Sequence, residues 1–222
     1  MRRTLSFILV LAGMSCGGDD GPTAPSSSGP AVSFFVTSST SSTGNLGGLA
    51  GADARCQSLA SAAGHGARTW RAYLSAERDP ANNNQPTHAK DRIGTGPWYN
   101  ANLAIVANNV AELHTRAGDA AIFVDERGQR INGQWTGSPA PNQHDILTGS
   151  NADGTLAAGL TCADWTSTST TVAAQVGHSD GLGPNQSTSG ALASWNSAHA
   201  SQNCADTAPR GGAGRIYCFA VR

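Results

Sequence analysis

Residues 215–221, with the sequence RIYCFAV, form the stretch from which the fold is best predicted. Every residue after the arginine is apolar or aromatic, a composition that favours a strand over a loop. Ile216, Cys218 and Ala220 alternate with two aromatic residues, so they share one face if the segment is extended. The segment is therefore predicted to be a β-strand with a cysteine on one face.

Segments further from this strand carry related patterns. Residues 32–37 (VSFFVT) and 69–75 (TWRAYLS) predict two more strands, of which the second alternates and is expected to be half-buried. Residues 121–131 are predicted to form a hairpin around a four-residue turn. A helical pattern begins at Asp53, and its apolar face contains Ala52, Cys56, Leu59, Ala60 and Ala63. Short strands, two helices and long loops together predict an α+β domain over residues 32–222.

The composition is that of a weakly charged chain. Of its 222 residues, 39% are hydrophobic and 13% are charged, which is about half the usual share of charged residues in a soluble domain. The 14 basic and 15 acidic residues give a formal net charge of −1, and the arginines are scattered. Because nucleic-acid binding depends on a basic face, no nucleic-acid partner is predicted.

The first sixteen residues carry the features of an export signal. Arg2 and Arg3 precede an apolar run of ten residues, 5–14, which is too short for the roughly 20 residues of a spanning helix. The following residues, 13–16 (GMSC), resemble the lipobox of bacterial lipoproteins. Residues 1–16 are thus predicted to be a lipoprotein signal peptide, with Cys16 as the lipidation site. The alternative is an ordinary secretory signal in which Cys16 is incidental.

A tether is predicted between this signal and the domain. Residues 17–31 are rich in Gly, Pro and Ser and have no periodic apolar pattern, which is typical of a disordered linker. In bacterial lipoproteins, an acidic residue directly after the lipidated cysteine often retains the protein at the inner membrane, and Gly17 stands there instead. We therefore expect an exported protein that is lipid-anchored at the bacterial outer membrane or cell surface.

The domain contains four further cysteines, Cys56, Cys162, Cys204 and Cys218. In an exported chain, an even set of this kind predicts two disulfides, and the spacing leaves all three connectivities open. Zinc binding is the competing interpretation, but the chain has no Cys-x-x-Cys motif and no histidine pair at ligand spacing. No metal or cofactor is predicted.

Several ordered motifs resemble endostatin, the C-terminal domain of collagens XV and XVIII. They include residues 51–53 (GAD), 69–75, 149–154 (GSNADG) and 162–165 (CADW), together with the motifs around the other cysteines. The chain is also similar to bacterial surface lipoproteins of unassigned function that carry such a domain. The resemblance implies a C-type-lectin-like fold, with a twisted antiparallel sheet, two helices and long loops. It also implies two nested disulfides, Cys56–Cys218 and Cys162–Cys204.

The resemblance does not transfer the known ligands of endostatin. Its zinc is held mainly by histidines near its N-terminus, and the corresponding residues here, 26–44, include none. Its heparin binding depends on clustered arginines, whereas the arginines of this chain are dispersed.

Candidate ligand-binding residues lie in predicted loops. Calcium-dependent lectins use carboxylate and carbonyl oxygens, and Asn142 and Asp145 lie in a segment weakly similar to such a loop. Trp98 and Trp135 are flanked by Gly, Pro or Asn and are candidates for stacking on sugars, with loop anchoring as the alternative. Asn151 and Asp153 are candidates of the same kind, although turn formation also explains them.

No catalytic constellation is evident in the sequence. His178, Ser179 and Asp180 are merely consecutive, and neighbouring residues rarely face one another as a catalytic triad requires. The best-supported hypothesis is a non-enzymatic, lipid-anchored module that recognises a glycan or an extracellular protein through loops 77–97 and 133–142. A polysaccharide hydrolase that pairs Asp145 with Asp164 or Glu126 is one alternative. An architectural envelope protein is the other.

Overall fold

The structure is a computed structural model that describes residues 29–221. The predicted signal peptide, residues 1–16, lies outside the described residues, as do Cys16 and nearly all of the predicted tether, residues 17–31. Within the described part, none of the helices has the length and apolar character needed to cross a bilayer.

Short strands joined by long loops make up most of the described chain. The strands are β1 (Phe34–Val36), β2 (Thr69–Ala72), β3 (Ala76–Asp79), β4 (Gln85–Thr87), β5 (Trp98–Tyr99), β6 (Ile105–Ala107), β7 (Asp145–Leu147), β8 (Gln175–His178), β9 (His199–Ala200) and β10 (Gly212–Val221). The helices are α1 (Gly48–Ala62), α2 (Val110–Thr115) and α3 (Cys162–Trp165), and α3 is a single turn whose residues all have positive φ. This mixture of helices and sheets confirms the predicted α+β class.

β10 is the central strand of the six-stranded main sheet, in which β1-β10-β7-β8-β9 form one path and β2 also pairs with β10. The C-terminal half of β10 pairs antiparallel with β1 and β2, and its N-terminal half pairs parallel with β7. The parallel pair corrects the prediction of a purely antiparallel sheet. Parallel neighbours need a long crossover connection, which the chain between β7 and β10 supplies through β8 and β9. Two small sheets, β3-β4 and β5-β6, lie apart from the main sheet.

β10 buries both of its faces, because a separate apolar core covers each side of the sheet. Ile216, Cys218 and Ala220 pack in one core with α1, as their alternation predicts. Tyr217 and Phe219 pack in the other core, which is rich in aromatic rings. The second core also buries Tyr73, so residues 69–75 are not half-buried throughout as predicted. Local alternation could not indicate that both faces would be covered.

α1 begins at Gly48, five residues before the predicted start at Asp53. Gly47 has a φ of 76° and allows the chain to enter the helix from a left-handed turn. Asp53 therefore lies inside the helix, where its carboxylate accepts a hydrogen bond from Ala72 N at 2.8 Å. The predicted hairpin at 121–131 is reduced to one bridge, Val124 with Arg130, around a turn.

Two disulfides fasten the sheet to its surroundings. Cys56 of α1 is bonded to Cys218 of β10, and Cys162 of α3 is bonded to Cys204 in the loop before β10. The bonds close sequence separations of 162 and 42 residues, and the shorter lies inside the longer. This is the pairing that the resemblance implies.

Candidate functional site

The ends of β7, β8 and β9 meet at a cleft of about 340 Å³. We call it the histidine cleft because three histidines from separate parts of the chain converge there. The residues that line it are Gln134, Asn142, His144, His178, Pro184, Leu192, His199 and Arg210.

Strand register brings the ionisable side chains together. Asp145 opens β7 and is the direct cross-strand partner of His178, the last residue of β8. His199 opens β9 and pairs with Val176, two residues before His178. Because side chains two residues apart on a strand lie on the same face, Asp145, His178 and His199 share one face of the sheet. His144 joins them from the residue before β7.

Ligand atoms of His144, Asp145 and His178 all lie within 4.8 Å of one another, and His199 lies beside His178 and Asp145. Asp145 Oδ1 is 3.3 Å from His144 Nε2 and 3.4 Å from His178 Nε2. Asp145 Oδ2 is 3.6 Å from His199 Nε2, and the Nε2 atoms of His178 and His199 are 3.0 Å apart. The rings of His144 and His178 stack with centroids 4.2 Å apart. Three imidazole nitrogens therefore surround one carboxylate.

Most of this cluster is shielded from water. The exposed fractions of the His144, Asp145 and His178 side chains are 3%, 2% and 2%, whereas His199 is 28% exposed on the cleft side. Burial raises the pKa of Asp145 to about 6, although the neighbouring histidines oppose this shift. Burial, together with His144 and His199, lowers the pKa of His178 to about 4, so its imidazole is neutral at pH 7.

The other ring nitrogen of each histidine is held by an acceptor. His144 Nδ1 lies 2.7 Å from Asp180 Oδ1, His178 Nδ1 lies 2.9 Å from Leu192 O, and His199 Nδ1 lies 3.0 Å from Ala200 O. Carbonyl and carboxylate oxygens only accept hydrogen bonds, so each Nδ1 carries a proton and donates it. In a neutral ring of this tautomer, the Nε2 atom carries the lone pair and faces the cluster.

Asp180 links the cluster to the loops around the cleft. Its carboxylate accepts hydrogen bonds from Gln134 N at 2.6 Å and Leu182 N at 3.0 Å as well as from His144. Burial alone would raise the pKa of Asp180, but the adjacent His144 ring and the hydrogen bonds from Gln134 and Leu182 outweigh it and lower the pKa. Asp180 is thus an ionised, fixed acceptor behind the His144 ring.

The structure separates the two candidate tryptophans. Trp98 is buried, donates its indole N–H to Ile93 O at 3.2 Å and packs against Phe219, so it presents no face for stacking on a sugar. This corrects the prediction for Trp98, because the second core extends beneath its loop. Trp135 is half-buried and follows Gln134 of the cleft in the chain, but it is not among the residues that line the cleft, and the guanidinium of Arg130 lies 5.3 Å from its ring centroid.

The candidate Asn and Asp residues fall into two groups. Asn142 lines the histidine cleft, and Asp145 is at its buried end. Asn151 and Asp153 lie elsewhere, in an exposed turn before α3. Asp153 Oδ1 accepts hydrogen bonds from both the backbone N–H and the hydroxyl of Thr155, so its geometry is that of turn formation.

The acidic pairs of the hydrolase alternative do not line this cleft together. Asp164 Oδ1 accepts a hydrogen bond from Glu77 N, and Asp164 lines a different cavity. The Glu126 carboxylate is buried and accepts hydrogen bonds from the backbone and hydroxyl of Ser38. Neither acid is among the residues that line the histidine cleft.

A larger cavity of about 490 Å³ lies at the start of α1. Its most buried charged groups already neutralise each other, because Asp53 is paired with Arg71 at 2.6 Å and with Arg92 at 2.8 Å. In the histidine cleft, by contrast, imidazole nitrogens lie against a buried carboxylate and against each other, and within residues 29–221 no arginine or lysine forms an ion pair with that carboxylate. We therefore take the smaller cleft as the candidate functional site.

The sequence alone does not indicate this histidine cluster. His144, His178 and His199 are far apart in the chain, and no spacing rule for adjacent ligands would connect them. Each lies at or directly beside the end of a short strand, because His144 precedes β7, His178 is the last residue of β8 and His199 is the first residue of β9. Only the pairing of β7, β8 and β9 makes those ends meet.

Comparison with protein families gives one match, to a family described as protein of unknown function (DUF1554), over residues 39–182. The match covers more than half of the chain. The chain belongs to this family. The family segment contains His144, Asp145, His178 and Asp180, and it ends before His199. No curated protein matches the chain.

Proposed function

We propose that this member of the family is an exported, non-catalytic binding module that recognises a glycan, either free or carried by an extracellular protein. The observation that carries the proposal is the histidine cleft, into which loop residues project polar groups around a concave surface. Its volume of about 340 Å³ is in the range of sites that bind small ligands. Sugars are recognised by such fixed polar groups beside an aromatic ring, and Trp135, the residue after Gln134, is the candidate for that ring.

The two disulfides support an extracellular location. Such bonds persist in oxidising compartments and are rare in the cytosol. Two of them are present, Cys56–Cys218 and Cys162–Cys204. We propose that Cys16 carries a lipid that anchors the protein to the bacterial outer membrane or cell surface, and that residues 17–31 hold the domain away from it.

We also propose that the domain is C-type-lectin-like and related to endostatin. Three features support this proposal: the first and last strands of the domain are neighbours, α1 packs on the sheet, and the two disulfides are nested. An experimental structure that superimposes on endostatin throughout the main sheet would support the relationship. A sheet order that differs from endostatin would overturn it.

Glycan binding is tested with the mature chain carrying Cys16→Ser, kept oxidised and applied to a broad glycan array. Gln134→Ala and Arg210→Ala remove polar side chains that line the cleft, and each should weaken binding about tenfold, the effect of losing one charged or well-placed hydrogen bond. Arg127→Ala, at an exposed side chain outside the cleft, is the control and should bind normally. Binding to no glycan on the array, or equal losses in all three variants, would contradict the proposal.

The anchor is tested separately in a bacterial host that lipidates exported proteins. Cys16→Ser should abolish labelling by a fatty-acid analogue and release the protein from the membrane fraction. Ser15→Ala, which keeps the cysteine, is the control and should remain labelled. Unchanged membrane partition of Cys16→Ser would show that Cys16 does not anchor the protein.

A further inference from the structure

The histidine cluster places imidazole nitrogens against a buried carboxylate. Each Nδ1 donates to an acceptor, so a neutral ring directs its Nε2 lone pair into the cluster. The Nε2 atoms of His178 and His199 are 3.0 Å apart, a distance that suits a hydrogen bond only if one of the two nitrogens carries a proton. Asp145 Oδ1 is fully buried and accepts no hydrogen bond, although two imidazole nitrogens lie within 3.4 Å of it. A buried carboxylate oxygen without a partner is costly.

A positive charge placed among these four groups would remove the repulsion. Protons are one source of that charge, but a proton satisfies only one pair of atoms at a time. A metal cation accepts all the lone pairs together, and buried charges of this kind are commonly paired or bound to metals. The convergence of His144, Asp145 and His178, whose ligand atoms all lie within 4.8 Å of one another, therefore favours a cation over a set of hydrogen bonds.

The distances from Asp145 Oδ1 to two of the imidazoles match those around a small tetrahedral ion. Ligand atoms that lie about 2.0–2.1 Å from a tetrahedral zinc ion are separated from each other by about 3.3–3.4 Å. The separations from Asp145 Oδ1 to the Nε2 atoms of His144 and His178 are 3.3 and 3.4 Å. His199 Nε2 lies 3.0 Å from His178 Nε2 and 3.6 Å from the other Asp145 oxygen, Oδ2. Calcium prefers six to eight oxygen ligands, so three imidazoles exclude it on ligand chemistry.

The surroundings of the cluster have the organisation of a metal site. Histidine ligands usually donate their second N–H to a carboxylate or carbonyl, which fixes the ring and its tautomer. Asp180 is this acceptor for His144, and Leu192 O is the acceptor for His178. Gly133 preserves this arrangement, because a Cβ at that position would lie 2.2 Å from Asp180 Oδ2.

We propose that His144, Asp145, His178 and His199 bind one divalent transition-metal ion, with Zn²⁺ as the preferred ion, through three Nε2 atoms and a carboxylate oxygen. Four protein ligands complete a tetrahedral shell, which is the mark of structural rather than catalytic zinc. The ion would hold together β7, β8 and β9 and, through Asp180, the loop that contains Gln134. This inference does not depend on the glycan proposal.

The first test measures metal content in the full mature chain with its disulfides intact. The protein is stripped with a chelator, dialysed against a zinc salt and analysed by elemental mass spectrometry. One zinc ion per chain is expected. A zinc content no higher than that of the buffer would overturn the proposal, regardless of whether the protein binds a glycan.

The second test substitutes Co²⁺ for zinc in the same protein. A four-coordinate site gives intense visible absorption bands, whereas six-coordinate cobalt gives weak bands. Intense bands that disappear when one equivalent of zinc is added would support the four-ligand shell. Weak bands only, or bands that zinc does not displace, would overturn it.

The third test uses variants in a zinc competition assay. His199→Ala removes the most exposed ligand and should lower zinc affinity by at least about tenfold. Asp180→Asn changes a positioning residue and should lower zinc affinity by about 10–100-fold. His65→Ala, outside the cluster, is the matched control and should keep the wild-type affinity. Wild-type zinc affinity in His199→Ala would overturn the assignment. If His199→Ala does not fold, wild-type zinc affinity in Asp180→Asn would overturn it instead.

Discussion

At the residue scale, several buried polar side chains of this protein each form hydrogen bonds or ion pairs with more than one partner. The Asp53 carboxylate is the clearest example, because it contacts Arg71, Arg92 and the backbone N–H of Ala72. These contacts join α1 to β2 and to the loop that carries Arg92. A buried ion pair of this kind gives little net stability, but removing one partner leaves an uncompensated charge.

Asp53→Asn should therefore lower the free energy of unfolding by about 3 kcal/mol, because Arg92 stays buried without its counter-charge. Asp91→Asn is the matched control, since Asp91 forms an exposed pair with Lys90, and its cost should stay below about 1 kcal/mol. Urea denaturation of both variants measures the difference. Equal losses would mean that the Asp53 pairs are no more important than surface pairs.

His114 predicts a pH dependence of stability. Its Nδ1 donates to Val110 O and its Nε2 accepts from the Tyr73 hydroxyl, both at 2.7 Å, so the neutral ring fits the site. Burial lowers the pKa of His114, and the opposing effects of the Val110 hydrogen bond and of Asp153 are smaller. The unfolded chain therefore binds this proton more readily than the folded chain.

The His114 contribution should be complete above about pH 6.5, the ordinary histidine pKa. As the pH falls below that value, the unfolded state gains a proton first, and the free energy of unfolding decreases until the lowered pKa of folded His114 is reached. NMR titration of the His114 imidazole in the folded protein measures that pKa directly. A midpoint at or above the ordinary histidine value would contradict the prediction.

At the element scale, α3 is the unusual feature. Cys162, Ala163, Asp164 and Trp165 all have φ between 49° and 66°, a left-handed conformation that costs non-glycine residues about 1–2 kcal/mol each. The turn is held by the Cys162–Cys204 disulfide and by the Trp165 indole N–H, which donates to Ser75 O at 2.8 Å. The element exists because tertiary bonds at both of its ends outweigh the local preference of its backbone.

The same substitution should have opposite effects in α3 and α1. Ala163 is exposed and left-handed, so Ala163→Gly should raise the free energy of unfolding by about 0.5–1 kcal/mol after the entropy cost of glycine. Ala54 is exposed in the interior of α1, so Ala54→Gly should lower it by about 0.5–1 kcal/mol. Urea denaturation tests the sign, and a loss at Ala163 would contradict the left-handed conformation.

At the scale of the whole molecule, the disulfides join parts of the chain that the sheet brings together. Cys56–Cys218 connects α1 to the central strand β10, and Cys162–Cys204 connects α3 to the final loop. Cross-links stabilise a fold mainly by restricting the unfolded chain, and the effect grows with the length of the closed loop.

Removing either bond as a double Cys→Ala variant should lower the free energy of unfolding by about 2–5 kcal/mol. The larger loss is expected for Cys56 with Cys218, because that pair closes 162 residues against 42 for the other pair. Denaturation without reductant compares the two variants with each other and with the wild type. Wild-type stability in both variants would contradict the role of the bonds.

Local sequence patterns determined the α+β class, the positions of β1 and β10 and the burial of one face of each main segment. Those properties follow from periodicities within a few residues, which the chain carries whatever its distant contacts are. Ile216, Cys218 and Ala220 lie on one buried face of β10 because strand alternation is a local property.

Only the tertiary structure decided the parallel pairing of β7 with β10, the burial of Trp98 and the meeting of three histidines around Asp145. These features depend on which distant segments become neighbours, and that choice is made by the free energy of the whole packed core. Strand register then fixes side chains from separate segments to within a few ångströms, a result that no spacing along the chain encodes.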